Sequence, residues 1–413
     1  MNHLLLPKSK WLVLLGIFSL ILIEAVSSNS GEEQSGYPER IILSVTAQPA
    51  TSQAVSWQTK SHPATAVAQI STAIAGPDLA KDARLVSAIT DTLTIAGTTR
   101  YFHSALFNGL IPNTMYAYRV GDGTTWSEWN QFRTADTSET PFQFVYLGDP
   151  QNDIHSICSR VFRLAYQRAP LAQCWLIAGD LVNNGENDTQ WGELYDALGW
   201  IARVTPIMPL PGNHEYIAVQ TSGAITRYLT PLWRPQFNLP LNGPEGLKET
   251  VYYVDYQNAR LIVLNGNEQL EKQAEWLTQV LGANPRHWTI VAIHQPIYSA
   301  GKGRDNVQLQ SLLLPLFDRY GVDLVLQGHD HCYSRSHKLR EGKIVTGNSQ
   351  GTVYVVSVTG PKIYELNTKY QSLMVKMDTG KQLFQVISIH KGRLTFESWT
   401  ATGELFDSFE LMK

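Results

Sequence analysis

The chain has 413 residues, with 33 Lys plus Arg set against 36 Asp plus Glu. That length allows two or three domains and a large core. The near balance of charge excludes both the basic field of a nucleic-acid binder and the acidic bias of a disordered chain, so the expected partner is a small molecule.

At the N-terminus Lys8 and Lys10 precede the apolar run Trp11 to Ile23, and the small residues Ala25, Ser27 and Ser28 follow. This is the layout of a signal peptide over residues 1–28, with cleavage expected near Ser27 and an exported chain, periplasmic or secreted. The run is short for a bilayer span, so no stable membrane span is expected in the mature chain; an uncleaved N-terminal anchor is the alternative. Residues 29–36 are small and polar and read as a linker. Cys158, Cys174 and Cys332 make an odd count, which is no disulfide framework. Cys174 at the start of an expected core strand and Cys158 on the apolar face of the helix before it fit buried small hydrophobes, with a bridge between those two left open.

Residues 37–136 contain short alternating segments broken by Pro, Gly and Asn: ILSVTA, AVSWQT, VAQIST, FHSALF, YAYRVG and WNQFRT. That spacing predicts a β-sandwich. Trp57 stands where a central-strand core tryptophan belongs, and Leu110, Pro112, Thr114 and Tyr116 fit a tyrosine corner. Trp126 and Trp129 read as packing. On these residues the segment resembles fibronectin type III, in the version fused to purple acid phosphatases.

A polar stretch from Asp136 to Thr140 separates this from residues 141–413, where apolar runs alternate with helical periodicity. Expected strands are Phe142 to Leu147, Trp175 to Ala178, Val204 to Met208, Leu261 to Leu264, Trp288 to Ile293 and Val322 to Leu326. Expected helices follow Ile154 and cover Leu270 to Leu281 and Val307 to Tyr320. Strand-like stretches close the chain, at Thr352 to Val358, Leu383 to Ile389 and Leu394 to Trp399. The pattern predicts an α/β domain of two β-sheets flanked by helices, four layers in all. Tyr216 to Val251 lacks periodicity and reads as a long loop, in which Trp233, Arg234 and Phe237 fit packing ahead of a substrate cleft.

Five blocks stand at strand ends: GDPQ with Asp149, GDLVN with Asp180, GNHE with Asn213 and His214, AIHQP with His294, and QGHDH with His329 and His331. Carboxylates and imidazoles together suit Fe, Mn and Zn. The five blocks in this order resemble the signature of the calcineurin-like metallophosphoesterase superfamily. Carried over residue by residue, the resemblance to its purple acid phosphatase branch implies that Asp149, Asp180 and His331 hold one metal ion. Asp180, Asn213, His294 and His329 would hold a second, with Asp180 shared. His214 would protonate the leaving oxygen or steady the transition state, with Glu215 either orienting it or facing solvent. Lys302 and Arg304 fall near where the family keeps a phosphate-contacting histidine, and a guanidinium there would grip phosphate.

The chain departs from its branch at one metal. Purple acid phosphatases place an iron-binding tyrosine three residues after the bridging aspartate, and other superfamily members place a histidine two residues after the first one. Here those positions are Asn183 and Gln151, weak neutral ligands at best. Losing a phenolate reduces the preference for a trivalent ion, so a colourless enzyme with divalent or mixed metals is expected. The reading that results is an exported dinuclear-metal phosphohydrolase using Fe, Zn or Mn, most simply a phosphomonoesterase in which a metal-activated hydroxide attacks phosphorus in line without a phosphoenzyme. A phosphodiesterase or nucleotide pyrophosphatase would use the same ligands. A non-catalytic adhesion protein working through its sandwich is the alternative outside enzymes.

Overall fold

The computed structural model describes residues 36–221, 223–347 and 349–413, which lie in one compact unit; the expected signal segment and most of the first linker lie outside the described residues. The first part is the expected sandwich. One sheet runs in the order Ile89–Ile95, Thr98–Asn108, Ser52–Thr59, Glu39–Ser44, and the other in the order Arg84–Ser87, Val67–Thr72, Met115–Gly121, Asn130–Arg133. Alternating side chains from both sheets meet in a core of Ile41, Leu43, Val55, Trp57, Ile70, Phe107, Tyr118 and Phe132. The tyrosine corner is formed, with the amide of Ile111 donating to the Tyr116 hydroxyl at 2.9 Å.

The α/β part follows the expected grammar. Phe142–Leu147, Trp175–Ala178 and Ile207–Leu210 pair in parallel, and Leu383–His390, Arg393–Thr400 and Leu405–Met412 extend that sheet antiparallel. A facing seven-stranded sheet is built on Ala259–Val263, Trp288–Ala292, Leu324–Gln327 and Val353–Val356, again parallel. One apolar cluster joins the two sheets. A second lies on the far side of the seven-stranded sheet, beneath the helices Leu270–Gly282 and Val307–Tyr320. Two tyrosines cross between the sheets: the Tyr252 hydroxyl donates to the Pro209 carbonyl at 2.6 Å, and the Tyr146 hydroxyl donates to the Gln327 carbonyl while accepting from its amide.

Three expectations change. The strand placed at Val204 to Met208 starts later, because Pro206 forces Thr205 into extended backbone after a helical turn, Ile201–Val204; pairing begins at Ile207. The long loop after His214 opens with an antiparallel hairpin, Tyr216–Thr221 with Ala224–Leu229, whose second strand is largely exposed and so lacks the apolar alternation that betrays a strand. Trp233 and Phe237 in that region are buried core residues, as the packing expectation has them. Finally, the sandwich is not a separate body. Ser44 pairs with Ile207 in parallel and the Val45 amide donates to the Ile207 carbonyl at 3.1 Å, so one ten-stranded sheet runs through both parts. The three cysteines are buried and free, so no Cys158 to Cys174 bridge exists.

Candidate metal centre

All five blocks emerge at the carboxyl ends of parallel strands in the two facing sheets, where open α/β folds gather ligands. Asp149 follows Phe142–Leu147, Asp180 follows Trp175–Ala178, and Asn213 follows Ile207–Leu210. Opposite them His294 follows Trp288–Ala292, and His329 and His331 follow Leu324–Gln327. Four of these residues turn the chain through left-handed backbone: Asp149 (φ 47°), Asp180 (φ 49°), His329 (φ 73°) and His331 (φ 47°). Non-glycine residues in that region cost about 1–3 kcal/mol each and concentrate where function requires them. Glycines relieve the crowding. A Cβ on Gly212 would come within 2.1 Å of Asp180 Oδ1, and one on Gly328 within 2.4 Å of Asp149 Oδ2.

Two clusters result. Asp149, Asp180 and His331 bring one ligand atom each within 4.8 Å of one another, and Asp180, His294 and His329 do the same. Asp180 belongs to both. In the second cluster His294 Nδ1 lies 2.7 Å from the Ala178 carbonyl and must donate to it. Its Nε2 therefore faces Asp180 Oδ2 at 3.2 Å, His329 Nδ1 at 3.2 Å and Asn213 Oδ1 at 3.3 Å. Burial lowers this imidazole, but the Asp180 charge overrides it and raises it to about 9, so a metal ion here would displace a proton from Nε2. Lone pairs converging at this spacing suit a cation. Burial and the nearby His294 hold the His329 imidazole well below its usual range, and burial lowers His331 to about 3. Both are thus neutral, the state that binds metal. Burial likewise pushes Asp149 up, against the His294 charge and with the Asp180 charge. A bound cation would remove that penalty, so the residues present fit two metal ions.

The surrounding residues fix this geometry. Glu215 is fully buried and accepts from the amides of Asp180 (3.0 Å), Leu181 (2.9 Å), Val182 (3.3 Å) and Gly212 (2.7 Å). It therefore neither faces solvent nor orients His214; it clamps the loop of the shared aspartate. His214 is oriented by the backbone: its Nδ1 lies 2.6 Å from the Asn183 carbonyl, and its Nε2 points toward Asp180 Oδ2 at 3.9 Å. Asp330 accepts from the Ser299 hydroxyl and from the amides of Ala300 (2.6 Å) and Gly301 (2.9 Å), which shapes the loop bearing Arg304. Arg304 donates to the His329 carbonyl at 2.5 Å and lies over the Tyr364 ring, 4.8 Å from its centroid. Lys302 is away from the cluster, paired with Glu365 on the surface.

Gln151 reaches the first cluster, its Nε2 2.7 Å from Asp180 Oδ2. Asn183 does not turn its amide to the carboxylates; its Oδ1 lies 3.3 Å from Lys362 Nζ. Lys362 and Tyr364 are the residues that sequence reasoning missed. They sit in an aperiodic loop and carry no local motif, and Lys362 lies 211 positions from Gln151 and 179 from Asn183. A cleft of about 780 Å3 lies elsewhere, between the sandwich and the α/β part beside Phe132, Phe142 and Trp200, and includes none of the candidate ligands.

Residues 38–134 match the family described as purple acid phosphatase, N-terminal domain, and residues 144–333 match calcineurin-like phosphoesterase. The second match spans the four strand ends that carry Asp149, Asp180, Asn213 and His294, together with His329 and His331. The chain belongs to the purple acid phosphatase-like calcineurin-like phosphoesterases. An uncharacterized Mycobacterium tuberculosis protein is 33% identical over 282 residues, covering 58% of this chain and 51% of that one. The chain thus spans about half the length of that relative. The Fe(3+)-Zn(2+) purple acid phosphatase 12 of Arabidopsis thaliana is 26% identical over 259 residues, covering 59% of this chain and 54% of its own. Among solved structures, a purple acid phosphatase from yellow lupin (Lupinus luteus) seeds superposes with a TM-score of 0.76 at 18% identity, over 91% of this chain and 74% of that one, which establishes the shared fold.

Proposed function

We propose that this phosphoesterase-family protein is an exported, metal-dependent phosphoric ester hydrolase that acts on small phosphomonoesters. The observation that carries the reading is the pair of clusters sharing Asp180, each drawing ligands from both sheets. Metal ions held there would supply a Lewis-acid clamp for phosphate oxygens and a lowered water pKa. Asp149, Asp180 and His331 would hold one ion, and Asp180, Asn213, His294 and His329 the other. His214 does the proton work. With Nδ1 committed to the Asn183 carbonyl, its Nε2 is the free nitrogen beside the cluster, placed to hand a proton to a leaving oxygen. Arg304 keeps a guanidinium edge beside the His329 loop, where a second phosphate oxygen can be received.

The test is metal content measured on the same preparation as hydrolysis of an aryl monophosphate and of the bis-aryl diester. Monoesterase activity that exceeds diesterase activity, and that Asp180→Asn abolishes, is the expected result; faster diester cleavage would favour the phosphodiesterase reading. Fewer than one transition metal per chain would favour a binding protein. Asn183 and Gln151 supply no phenolate, and Tyr216 is held instead by Glu268 and by Asn265 Nδ2 at 2.6 Å. Oxidised, iron-loaded protein is therefore expected to show no visible charge-transfer band, and a strong one would overturn the preference for divalent or mixed metals. Export rests on the residues 1–28 layout; finding the intact N-terminus in the cytoplasm would oppose it. Among the described residues no helix is long and apolar enough to cross a membrane.

A further inference from the structure

Lys362 belongs to none of the five blocks, yet its ammonium touches both side chains that stand in for customary ligands of the first cluster. Its Nζ lies 3.0 Å from Gln151 Oε1 and 3.3 Å from Asn183 Oδ1. The loop that delivers it is tied to the metal-site strands. The Thr359 amide donates to the Gly148 carbonyl (2.6 Å), Gly360 to the Asp149 carbonyl (3.1 Å), and Tyr364 to the His331 carbonyl (3.3 Å). A Cβ on Gly360 would meet the Asp149 carbonyl at 2.3 Å, so this approach is close along its length. The same loop sets the Tyr364 ring against His331, centroids 4.6 Å apart.

An ammonium has three donors and no acceptor, so it fixes which way an amide beside it turns. Both oxygens must face Lys362. Gln151 then presents its Nε2 to the cluster, 2.7 Å from Asp180 Oδ2 and 3.3 Å from His331 Nε2. An amide NH2 offers a metal ion no lone pair. Asp149, Asp180 and His331 are left as the protein ligands of the first position. A phenolate at position 183 would add a negative charge there, whereas Lys362 adds a positive one.

We propose that Lys362 makes the first metal position an open, three-ligand site for a readily exchanged divalent ion, by holding the Gln151 and Asn183 oxygens away and by placing a positive charge beside it. This deepens the dinuclear reading above and rests on it. Gln151 and Asn183 are then hydrogen-bonding neighbours of the first ion and not its ligands.

The experiment loads the full-length protein with Zn(II) or Mn(II) and measures each ion's dissociation by chelator competition, with circular dichroism and thermal unfolding as checks on the fold. Wild type is expected to hold one ion firmly and release the other to a mild chelator, and His331→Ala to lack only the labile one. Lys362→Met frees both amide oxygens and removes the charge, so the labile ion should tighten by about tenfold or more, given a unit charge a few ångströms from a divalent ion. Lys362→Arg keeps it labile, and adding Gln151→Ala to Lys362→Met gives part of the gain back. If Met disturbs the fold, Lys362→Gln serves as the neutral variant. Equal affinity for the first ion in wild type and a folded neutral variant overturns the inference while leaving the dinuclear centre standing. Absence of any bound ion in wild type overturns both.

Discussion

At His214 two backbone contacts decide what the side chain can do. Its amide donates to Asp180 Oδ1 at 2.9 Å and its Nδ1 is committed to the Asn183 carbonyl, so the ring cannot rotate away from the shared aspartate. It has no place among the ligand clusters, so the proton transfer proposed for it would be separable from metal binding. His214→Ala is therefore expected to lower kcat on an aryl monophosphate by about 10²- to 10⁴-fold while metal content stays at the wild-type value; parallel loss of metal would make His214 a structural residue. Residues of this kind were legible before folding, because the block GNHE carries its chemistry in its composition. Glu215 was not. Its identity is apparent in the sequence, but four amide donors from residues 180–182 and 212 become its partners only when two strand ends converge.

At the scale of elements, the site depends on two sheets being held in register. Tyr146 projects from the first sheet and pairs with both backbone groups of Gln327, the residue before Gly328 and His329. Removing its hydroxyl leaves a buried amide and a buried carbonyl without that partner. Tyr146→Phe is expected to cost about 1–3 kcal/mol of stability and to weaken metal retention, read by denaturant unfolding and by metal analysis after dialysis. An unchanged unfolding midpoint would show that the tyrosine does not join the sheets. Strands and helices with strong periodicity were readable: Val307–Tyr320 coincides with its predicted bounds, and Leu270–Gly282 nearly so. The hairpin after His214 and the Lys362 loop were not, since an exposed strand has no apolar alternation and a loop pinned by distant backbone has no periodicity of its own.

For the whole molecule, the joined sheet makes the sandwich part of the same body as the strands that carry the candidate metal ligands. Ile42, Val45 and Phe102 share a core with the α/β strands, Arg40 pairs with Asp188 at 2.5 Å, and the Tyr118 hydroxyl donates to the Arg203 carbonyl at 2.7 Å. Residues 140–413 produced alone should unfold at a lower denaturant concentration than the joined protein, or aggregate through the strand edge at Ile207; equal midpoints would make the sandwich an independent appendage. The sandwich also imposes a pH dependence. His103 is fully buried between the Thr59 and Thr90 hydroxyls, at 2.9 Å each, and burial first and the His62 charge second push it down from 6.5 to about 4. The unfolded chain then takes up the proton before the folded one does. This contribution is whole above pH 6.5, falls as pH drops toward 4 and is gone below it, worth at most about 3 kcal/mol. His103→Gln should flatten the fall in unfolding midpoint between pH 7 and pH 4.5, and an unaltered slope would exclude His103 as its source.

Composition and spacing were enough for the two-part architecture and the tyrosine corner, and strand ends punctuated by Gly, Asp, Asn and His announce themselves locally; the set of candidate ligands came from the family resemblance that those five blocks carry. Tertiary structure decided what those ligands face. It set the shared position of Asp180, the burial of Glu215, the fusion of the two sheets, and the ammonium of Lys362 on Gln151 and Asn183. Each of these is a contact between groups far apart in the chain, and side-chain charge and hydrogen bonding act through space, where local pattern carries no information.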